Sequence, residues 1–188
     1  MADPARRAAT YADLDTLPGH LVGEILHGVL HALPRPRIRH ARAATRLGSH
    51  LGPPFDEGVG GPGGWVFLDE PELHLGDDVV VPDLAGWRRE HLPELPDAAF
   101  LTLAPDWVCE VLSPATRALD LTDKRDIYRR ERVAHLWYVD PAPEARTLEV
   151  LRWSPAGYVL VSSHRGDPSV RAEPFEALAF PLGALWAT

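Results

Sequence analysis

The stretch WVCEVL, residues 107–112, decides how this sequence folds, because both faces of the strand that it predicts are apolar. Val108 and Leu112 share one face with Glu110, and the residues that alternate with them point to the other face. Such a strand is typical of the centre of a sheet that is covered on both sides. A buried, ionised carboxylate costs several kcal/mol, roughly, unless a cation or hydrogen-bond donors meet it. The sequence therefore predicts a partner for Glu110.

Composition is that of a single globular domain. The 188 residues are 45% hydrophobic and 24% charged, so we expect one domain with a sizeable core over residues 1–188. The single cysteine, Cys109, excludes an internal disulfide and fits a small buried side chain in a reducing compartment. We recognise no leader sequence and no apolar run near the roughly 18 residues that a membrane span needs. We therefore expect a cytoplasmic protein with no membrane partner.

The charge is unevenly distributed. With 27 acidic and 19 basic residues the net charge is -8, which argues against a protein that coats nucleic acid non-specifically. Residues 35–46, RPRIRHARAATR, nevertheless contain five arginines and one histidine and no acid. Arg39, Arg42 and Arg46 in this run could contact backbone phosphates of nucleic acid. The alternative is a solvated helix start whose arginines lie along the surface.

Patterns of strands and helices follow one another without strict alternation. Residues 11–17 predict a short helix, and residues 24–33 predict two strands about a His-Gly turn. Apolar residues three or four apart predict a helix over 38–51, and a loop rich in glycine and proline follows it. Further strands are predicted at 65–75, 79–87, 107–112, 135–140, 146–153 and 157–163, and a further helix at 119–132. This order favours a mixed sheet that is flanked by helices.

The helix predicted after WVCEVL carries a lysine on its apolar side. At ~100° per residue, Lys124 falls among Leu121, Ile127 and Tyr128 rather than among the arginines of the helix. Lys124 is therefore a candidate partner for Glu110. The two residues either form a buried ion pair that only fixes packing or belong to a reactive site.

Two more carboxylates stand in apolar runs. Glu24 lies in EILHGVL, and Asp83 follows Pro82, which should mark a strand start, an edge or a bulge because proline cannot donate to a ladder. One lysine cannot neutralise three buried carboxylates. Converging acids with a lysine suit a hard divalent cation such as Mg²⁺ or Mn²⁺, because Mg²⁺ takes oxygen ligands and retains waters. The alternative is a charge cluster with a purely structural role.

The order of these motifs resembles the Uma family of restriction-endonuclease-like proteins, within the PD-(D/E)XK nuclease superfamily. The most specific part runs from Pro105 to Pro141 and contains PDWVCEVLSP, then D-x-x-x-K-x-x-x-Y from Asp120 to Tyr128, then WYVDP. The similarity covers most of the chain. It implies a restriction-endonuclease-like fold, α/β in the broad sense (α+β), in which a mixed β-sheet is flanked by helices and has additional N- and C-terminal strands.

The resemblance also implies roles for particular residues. Asp83 and Glu110 match the two acids that hold Mg²⁺ in the superfamily, with the backbone carbonyl of Val111 as a further ligand. The superfamily lysine is expected two residues after Glu110, where this sequence has Leu112. The resemblance implies that Lys124 replaces that lysine from the following helix.

Three other residues complete the implied site. Glu24 matches an additional acid that many superfamily members contribute from their N-terminal part. His40 matches a histidine often seen in the family, although a helix-start histidine bonded to backbone or water is the simpler interpretation. Asp120, four residues before Lys124, either pairs with it or caps the helix.

The implied function is that of a Mg-dependent endonuclease that hydrolyses phosphodiester bonds of DNA. The residues expected to carry the reaction are Glu24, Asp83, Glu110 and Lys124. The alternative is a catalytically silent nuclease-like protein that binds DNA or another protein as a regulator. A homodimer would suit cleavage of both strands of a duplex.

Overall fold

The computed structural model describes residues 7–187 and contains three β-sheets and a few short helices. The strands, in chain order, are β1 (Leu21–Leu26), β2 (Val29–Pro34), β3 (Trp65–Asp69), β4 (Leu73–Leu75), β5 (Asp78–Val80), β6 (Leu84–Arg88), β7 (Trp107–Val111), β8 (His135–Asp140), β9 (Thr147–Arg152), β10 (Val159–Arg165), β11 (Ser169–Val170) and β12 (Phe180–Pro181). The α-helices are α1 (Tyr11–Leu14), α2 (Ile38–Leu51), α3 (Arg117–Leu119) and α4 (Arg125–Arg130). Gly52–Asp56 and Asp120–Lys124 form π-helical turns, and Leu182–Leu185 forms a 3-10 turn.

A six-stranded mixed sheet is the largest element, with the strand order β10-β9-β8-β7-β6-β3. Its central strands β7 and β8 are parallel, and the other neighbouring strands are antiparallel. A second, four-stranded sheet has the order β2-β1-β5-β4 and is antiparallel, and β11 pairs with β12. The predicted mixed sheet with flanking helices is therefore confirmed, and WVCEVL forms a central strand as expected.

Local patterns are recovered most closely in the first third of the chain. The helix predicted over 38–51 is α2, with the same bounds. The predicted hairpin is β1 and β2, and its turn residues His27 and Gly28 both have left-handed backbone conformations, with φ of 51° and 76°. Turns of this kind match the twist of the strands that they join, and glycine adopts them without steric cost.

Two predicted strands, 65–75 and 79–87, are each divided between two sheets. The first run forms β3 in the six-stranded sheet and then β4 in the four-stranded sheet. The second run forms β5 in the four-stranded sheet and then β6 in the six-stranded sheet, so the chain crosses twice between the two sheets. Pro82 lies at the second break, where its missing N–H ends the ladder of β5. This break places Asp83 at the junction of the two sheets, directly before β6.

Two helical predictions also need correction. The flexible loop expected after residue 51 begins instead with the π-helical turn Gly52–Asp56, because Phe55 is buried against the core. The helix expected over 119–132 spans 117–130 and contains the π-helical turn Asp120–Lys124 between α3 and α4. Such turns are rare and are frequently found at functional sites.

The six-stranded sheet is covered on both faces. On one face, Trp107 and Trp137 pack with Phe175 beneath α2 and the C-terminal segment. On the other face, Val108 and Leu136 belong to a second apolar cluster with residues of α4 and of the four-stranded sheet. Glu110 lies two residues after Val108 along β7 and therefore points to this second face. Within residues 7–187, no helix combines the length and the apolar character needed to cross a bilayer.

Candidate active site

Glu110 is buried in the middle of the sheet and has two partners from the helical segment above it. Its side chain is 2% exposed. The Tyr128 hydroxyl donates a hydrogen bond of 2.6 Å to Glu110 Oε1, and Lys124 Nζ lies 2.9 Å from the same oxygen. The π-helical turn brings Lys124 over β7, and α4 follows it with Tyr128. The partner that the sequence required for Glu110 is therefore present.

Lys124 stands at the centre of a group of acids. Its side chain is 4% exposed, and Nζ lies 3.1 Å from Glu24 Oε1 and 3.6 Å from Asp120 Oδ1. It also donates to the backbone carbonyl of Val81 at 3.2 Å. One ammonium thus links β1, the β5–β6 junction, β7 and its own helical segment. The prediction that Lys124 faces the core is confirmed.

Glu24 reaches the site from β1 in the four-stranded sheet. Its Oε1 accepts a hydrogen bond of 2.7 Å from the Val81 N–H, while its Oε2 is buried and has no hydrogen-bond partner among the described residues. Leaving a buried acceptor without a donor is costly, typically by about 1–3 kcal/mol. The second oxygen of Glu24 is therefore available to a cation or a water.

Asp83 lies at the rim of the site. Leu84 pairs with Cys109, so one further step of the same antiparallel register sets Asp83 opposite Glu110. Asp83 Oδ2 accepts a hydrogen bond of 2.7 Å from the Val111 N–H. This hydrogen bond links the end of β7 to the residue that precedes β6.

His40 binds a carboxylate, which corrects the simpler interpretation of a histidine bonded to backbone or water. It lies in the first turn of α2, is buried, and places Nε2 at 3.2 Å from Asp83 Oδ2. Burial alone would lower the pKa of His40, but the hydrogen bond and charge of Asp83 outweigh burial and raise it. The sequence did not indicate this contact because the two residues belong to different elements far apart in the chain.

A cavity of about 240 Å³ connects these side chains. All four residues expected to carry a reaction line it, as do the two supporting residues His40 and Asp120. Glu70 also lines it, although no pattern in the sequence had singled that residue out. Burial raises the pKa of Glu70, and the nearby Asp69 and Asp83 raise it further. The cavity therefore collects more acids than were predicted.

The cluster contains more carboxyl groups than cationic groups. Burial raises the pKa of Glu110; the Lys124 ammonium opposes this, but Asp120, Asp83 and Glu24 add to it, and the pKa stays well above its usual value. Burial would lower the pKa of Lys124, yet the same acids keep it well above its usual value. The ammonium thus stays charged, and one ammonium faces several carboxyl groups.

Two further sequence features bear on the site. Tyr128 was predicted on the apolar side of the helix and as part of the motif, but not as a partner of Glu110, although its place four residues after Lys124 puts it on the same helical face. Lys124 is also the only lysine of the sequence, since all the other basic residues among the 19 Lys and Arg are arginines. The presence of a single lysine among so many arginines could have identified Lys124 as a candidate site residue.

The predicted phosphate-binding arginines do not line the cavity. Arg39 and Arg42 line a second cavity on the other side of the first turn of α2, and Arg46 lies one turn further along the helix. Arg35 and Arg37, just before α2, do line the first cavity. The basic run therefore borders the acidic cluster on one side.

The structure is a mixed α+β fold in which acids from β1, β7 and the helical segment gather around Lys124 at one cavity. The fold is similar to a crystal structure from Anabaena variabilis that is described as a putative nuclease belonging to DUF820. That match covers 95% of this chain and 97% of the other, with a TM-score of 0.73 and 21% sequence identity, and shows the shared fold. No curated protein matches the sequence.

The family follows from the sequence itself. The family profile Uma2, described as "Putative restriction endonuclease", matches residues 10–183. This chain belongs to the Uma2 family, as its motifs predicted, and its function is nuclease-like.

Proposed function

We propose that this protein is a divalent-metal-dependent endonuclease that hydrolyses phosphodiester bonds of DNA, with residues 1–188 as one nuclease domain. The observation that carries the proposal is the convergence of Glu24, Glu110 and Asp120 on the ammonium of Lys124, with Asp83 on the same cavity. A cytoplasmic location and a homodimer stay predictions.

The donor set suits Mg²⁺ or Mn²⁺, although no three His, Cys, Asp or Glu side chains of residues 7–187 form a ready-made metal cage. Mg²⁺ does not need such a cage, because it usually keeps several waters and is held by one or two carboxylates. Asp83 and Glu110 are the residues that would hold it, with the carbonyl of Val111. The unpartnered Oε2 of Glu24 and the surplus of carboxylates favour a further cation.

When bound, the metal would polarise a phosphoryl oxygen and lower the pKa of a coordinated water. The other tasks fall to the chain itself. The Lys124 ammonium would orient the attacking water and offset negative charge at the phosphorus in the transition state. The Tyr128 hydroxyl fixes one oxygen of Glu110, which leaves the other for the cavity, and His40 holds Asp83 in the same way.

Nucleic acid would approach over the start of α2. No acid occurs in the first turn of this helix, and no side chain caps it. Arginines at a helix N-terminus are disfavoured by the helix dipole, and an anionic phosphate would relieve both effects. Arg39, Arg42 and Arg46 would then contact the DNA backbone without reading sequence.

A calorimetric titration with Mg²⁺ and with Mn²⁺ tests the proposal against its alternatives. We expect wild type to bind the ions, Glu110→Gln to lose most of this binding, and the control Glu149→Gln, on strand β9 and outside the cavity, to resemble wild type. A silent regulator would bind DNA and show no metal binding. A structural cluster would show no metal binding either, and Glu110→Gln would only lower the melting temperature.

A further inference from the structure

A second cavity of about 370 Å³ lies beside the proposed active site, and its lining is partly apolar and partly basic. Its size is within the range of small-ligand pockets, roughly 300–1,000 Å³. The apolar lining residues include Pro141, Leu185 and Trp186, and the basic ones are Arg39, Arg42 and Arg146. None of the described residues that line it is acidic.

One apolar residue of the cavity lining is exposed where burial would be expected. Ile38, which also lines the cavity, is 88% exposed in the first turn of α2. The Trp186 indole N–H donates a hydrogen bond of 2.8 Å to Asp167 Oδ1, which fixes the ring at the cavity wall. A held aromatic ring and an exposed isoleucine at one opening offer a surface to a flat apolar group.

The cavity lining suits an anionic ligand better than an apolar ligand alone. None of its three arginines lies within salt-bridge distance of an acid in residues 7–187, and Arg42 Nε donates only to the backbone carbonyl of Ala187, at 3.3 Å. Free guanidinium groups are well suited to phosphate, because their planar donor fork matches its oxygens. The ligand should therefore carry both a flat ring and a phosphate.

The two cavities are positioned to hold one polymer. They share the first turn of α2 as a wall, with Arg37 and His40 facing the first cavity and Ile38 and Arg39 facing the second. They also share one edge of the sheet, because β7 and β8 are parallel and end together. At this edge Arg117 forms a salt bridge of 2.6 Å with Asp140. Arg117 directly follows the loop that lines the first cavity, and Asp140 directly precedes Pro141, which lines the second cavity.

We propose that the second cavity binds an unpaired nucleotide of the DNA strand, with its base against Trp186 and its phosphate among Arg39, Arg42 and Arg146. In a duplex the faces of the bases are covered by their neighbours, so only an unpaired base can enter such a site. The preferred substrate is then DNA with a single-stranded segment beside the phosphate to be cut. This inference rests on the proposed function.

Binding measured in the presence of EDTA tests the inference without cleavage. Fluorescence anisotropy compares a blunt duplex with the same duplex carrying a short overhang that contains a fluorescent adenine analogue. Wild type should bind the overhang form roughly five-fold or more tightly, as expected for one base stacked on an aromatic ring. The fluorescence of the analogue should fall on binding as it stacks.

Variants at two positions, each with a control elsewhere, locate the effect. Trp186→Ala should bring the ratio of the two affinities close to one, Trp186→Phe should keep part of it, and Trp153→Ala, another half-buried tryptophan away from the cavity, should keep it all. Ile38→Glu gives the same test without disturbing the core, since Ile38 is almost fully exposed; Val59→Glu, at a residue 65% exposed, is its control.

The outcomes separate the inference from the proposed function. Wild type that binds both DNA forms equally, or keeps its preference in both Trp186→Ala and Ile38→Glu, overturns the second site and leaves the nuclease proposal standing. Wild type that binds neither form of DNA overturns both.

Discussion

The two faces of β7 are equally buried and chemically opposite. Cys109 and Glu110 are 0% and 1% exposed, yet Cys109 lies among tryptophan and leucine side chains while Glu110 meets an ammonium and a phenol. The strand is the same, so the difference comes from the layers above it. On the first face α2 presents alanine and leucine; on the second the helical segment 117–130 presents Lys124 and Tyr128.

Stability alone does not explain the charged face. Replacing a buried ion pair by apolar side chains of similar volume is often neutral or stabilising, so a packing role would be served as well by two hydrophobic residues. The apolar face already supplies a continuous core with Phe175 and the tryptophans. The contrast supports the proposal that the charges of the second face serve binding or chemistry, and it can be tested by removing one side at a time.

Among the changes that separate the two faces of β7, removing the ammonium should cost the most stability. Lys124→Met should lower the free energy of unfolding by about 3–5 kcal/mol, because it leaves Glu24 and Glu110 buried without a cation. Urea denaturation followed by circular dichroism measures the change. Arg129→Met, on the exposed side of α4, is the control and should change stability by no more than about 0.5 kcal/mol. A loss below about 1 kcal/mol for Lys124→Met would mean that the acids do not depend on it.

A substitution on the apolar face should cost less stability, and the loss should not depend on ions. Val139→Ala removes two methyl groups from a fully buried residue, and we expect the free energy of unfolding to fall by about 2 kcal/mol. Mg²⁺ in the denaturation buffer should stabilise wild type and Val139→Ala equally. The difference in stability between the two proteins should therefore be the same with and without the ion. A loss that depends on Mg²⁺ would show that the two faces are coupled.

The charged face should also respond to pH. Because the pKa of Glu110 is raised in the folded protein, the folded state binds a proton more tightly than the unfolded chain does. The contribution of Glu110 to stability is present below the usual glutamate pKa of 4.5, and it is lost as pH rises through the higher pKa that Glu110 has in the folded protein. The melting temperature of wild type relative to Glu110→Gln should therefore fall as pH rises from 4.5. A difference that grows with pH would contradict this direction.

Substitutions in the basic run, residues 35–46, should change stability least but should clearly weaken DNA binding. Replacing Arg39, Arg42 and Arg46 by glutamine should weaken binding to unrelated DNA sequences alike and flatten the salt dependence by about 0.9 for each phosphate that is no longer neutralised. Replacing Arg129, Arg132 and Arg152 makes the same change in net charge elsewhere. If both triple variants kept the wild-type salt slope, the basic run would be a solvated helix start and the DNA-binding surface would lie elsewhere.

The sequence predicted what depends on local periodicity. The bounds of α2, the central place of WVCEVL and the inward side of Lys124 follow from which neighbours along the chain are apolar. It missed the division of 65–75 and 79–87 between two sheets, because the partner of a strand is set by residues distant in sequence. For the same reason it did not pair His40 with Asp83 or select Glu70, whose places in the cavity depend on how separate elements meet.

Cleavage of plasmid DNA by Glu110→Gln shows whether the charged face of β7 is a catalytic site. The substitution keeps the shape of the side chain and leaves Lys124 paired with Glu24, and the fraction of folded protein is matched by circular dichroism. With Mg²⁺, wild type and Glu149→Gln should nick supercoiled plasmid, EDTA should stop the reaction, and Glu110→Gln should be inactive. If Glu110→Gln nicked plasmid at the wild-type rate, the charged face would not be the site of cleavage.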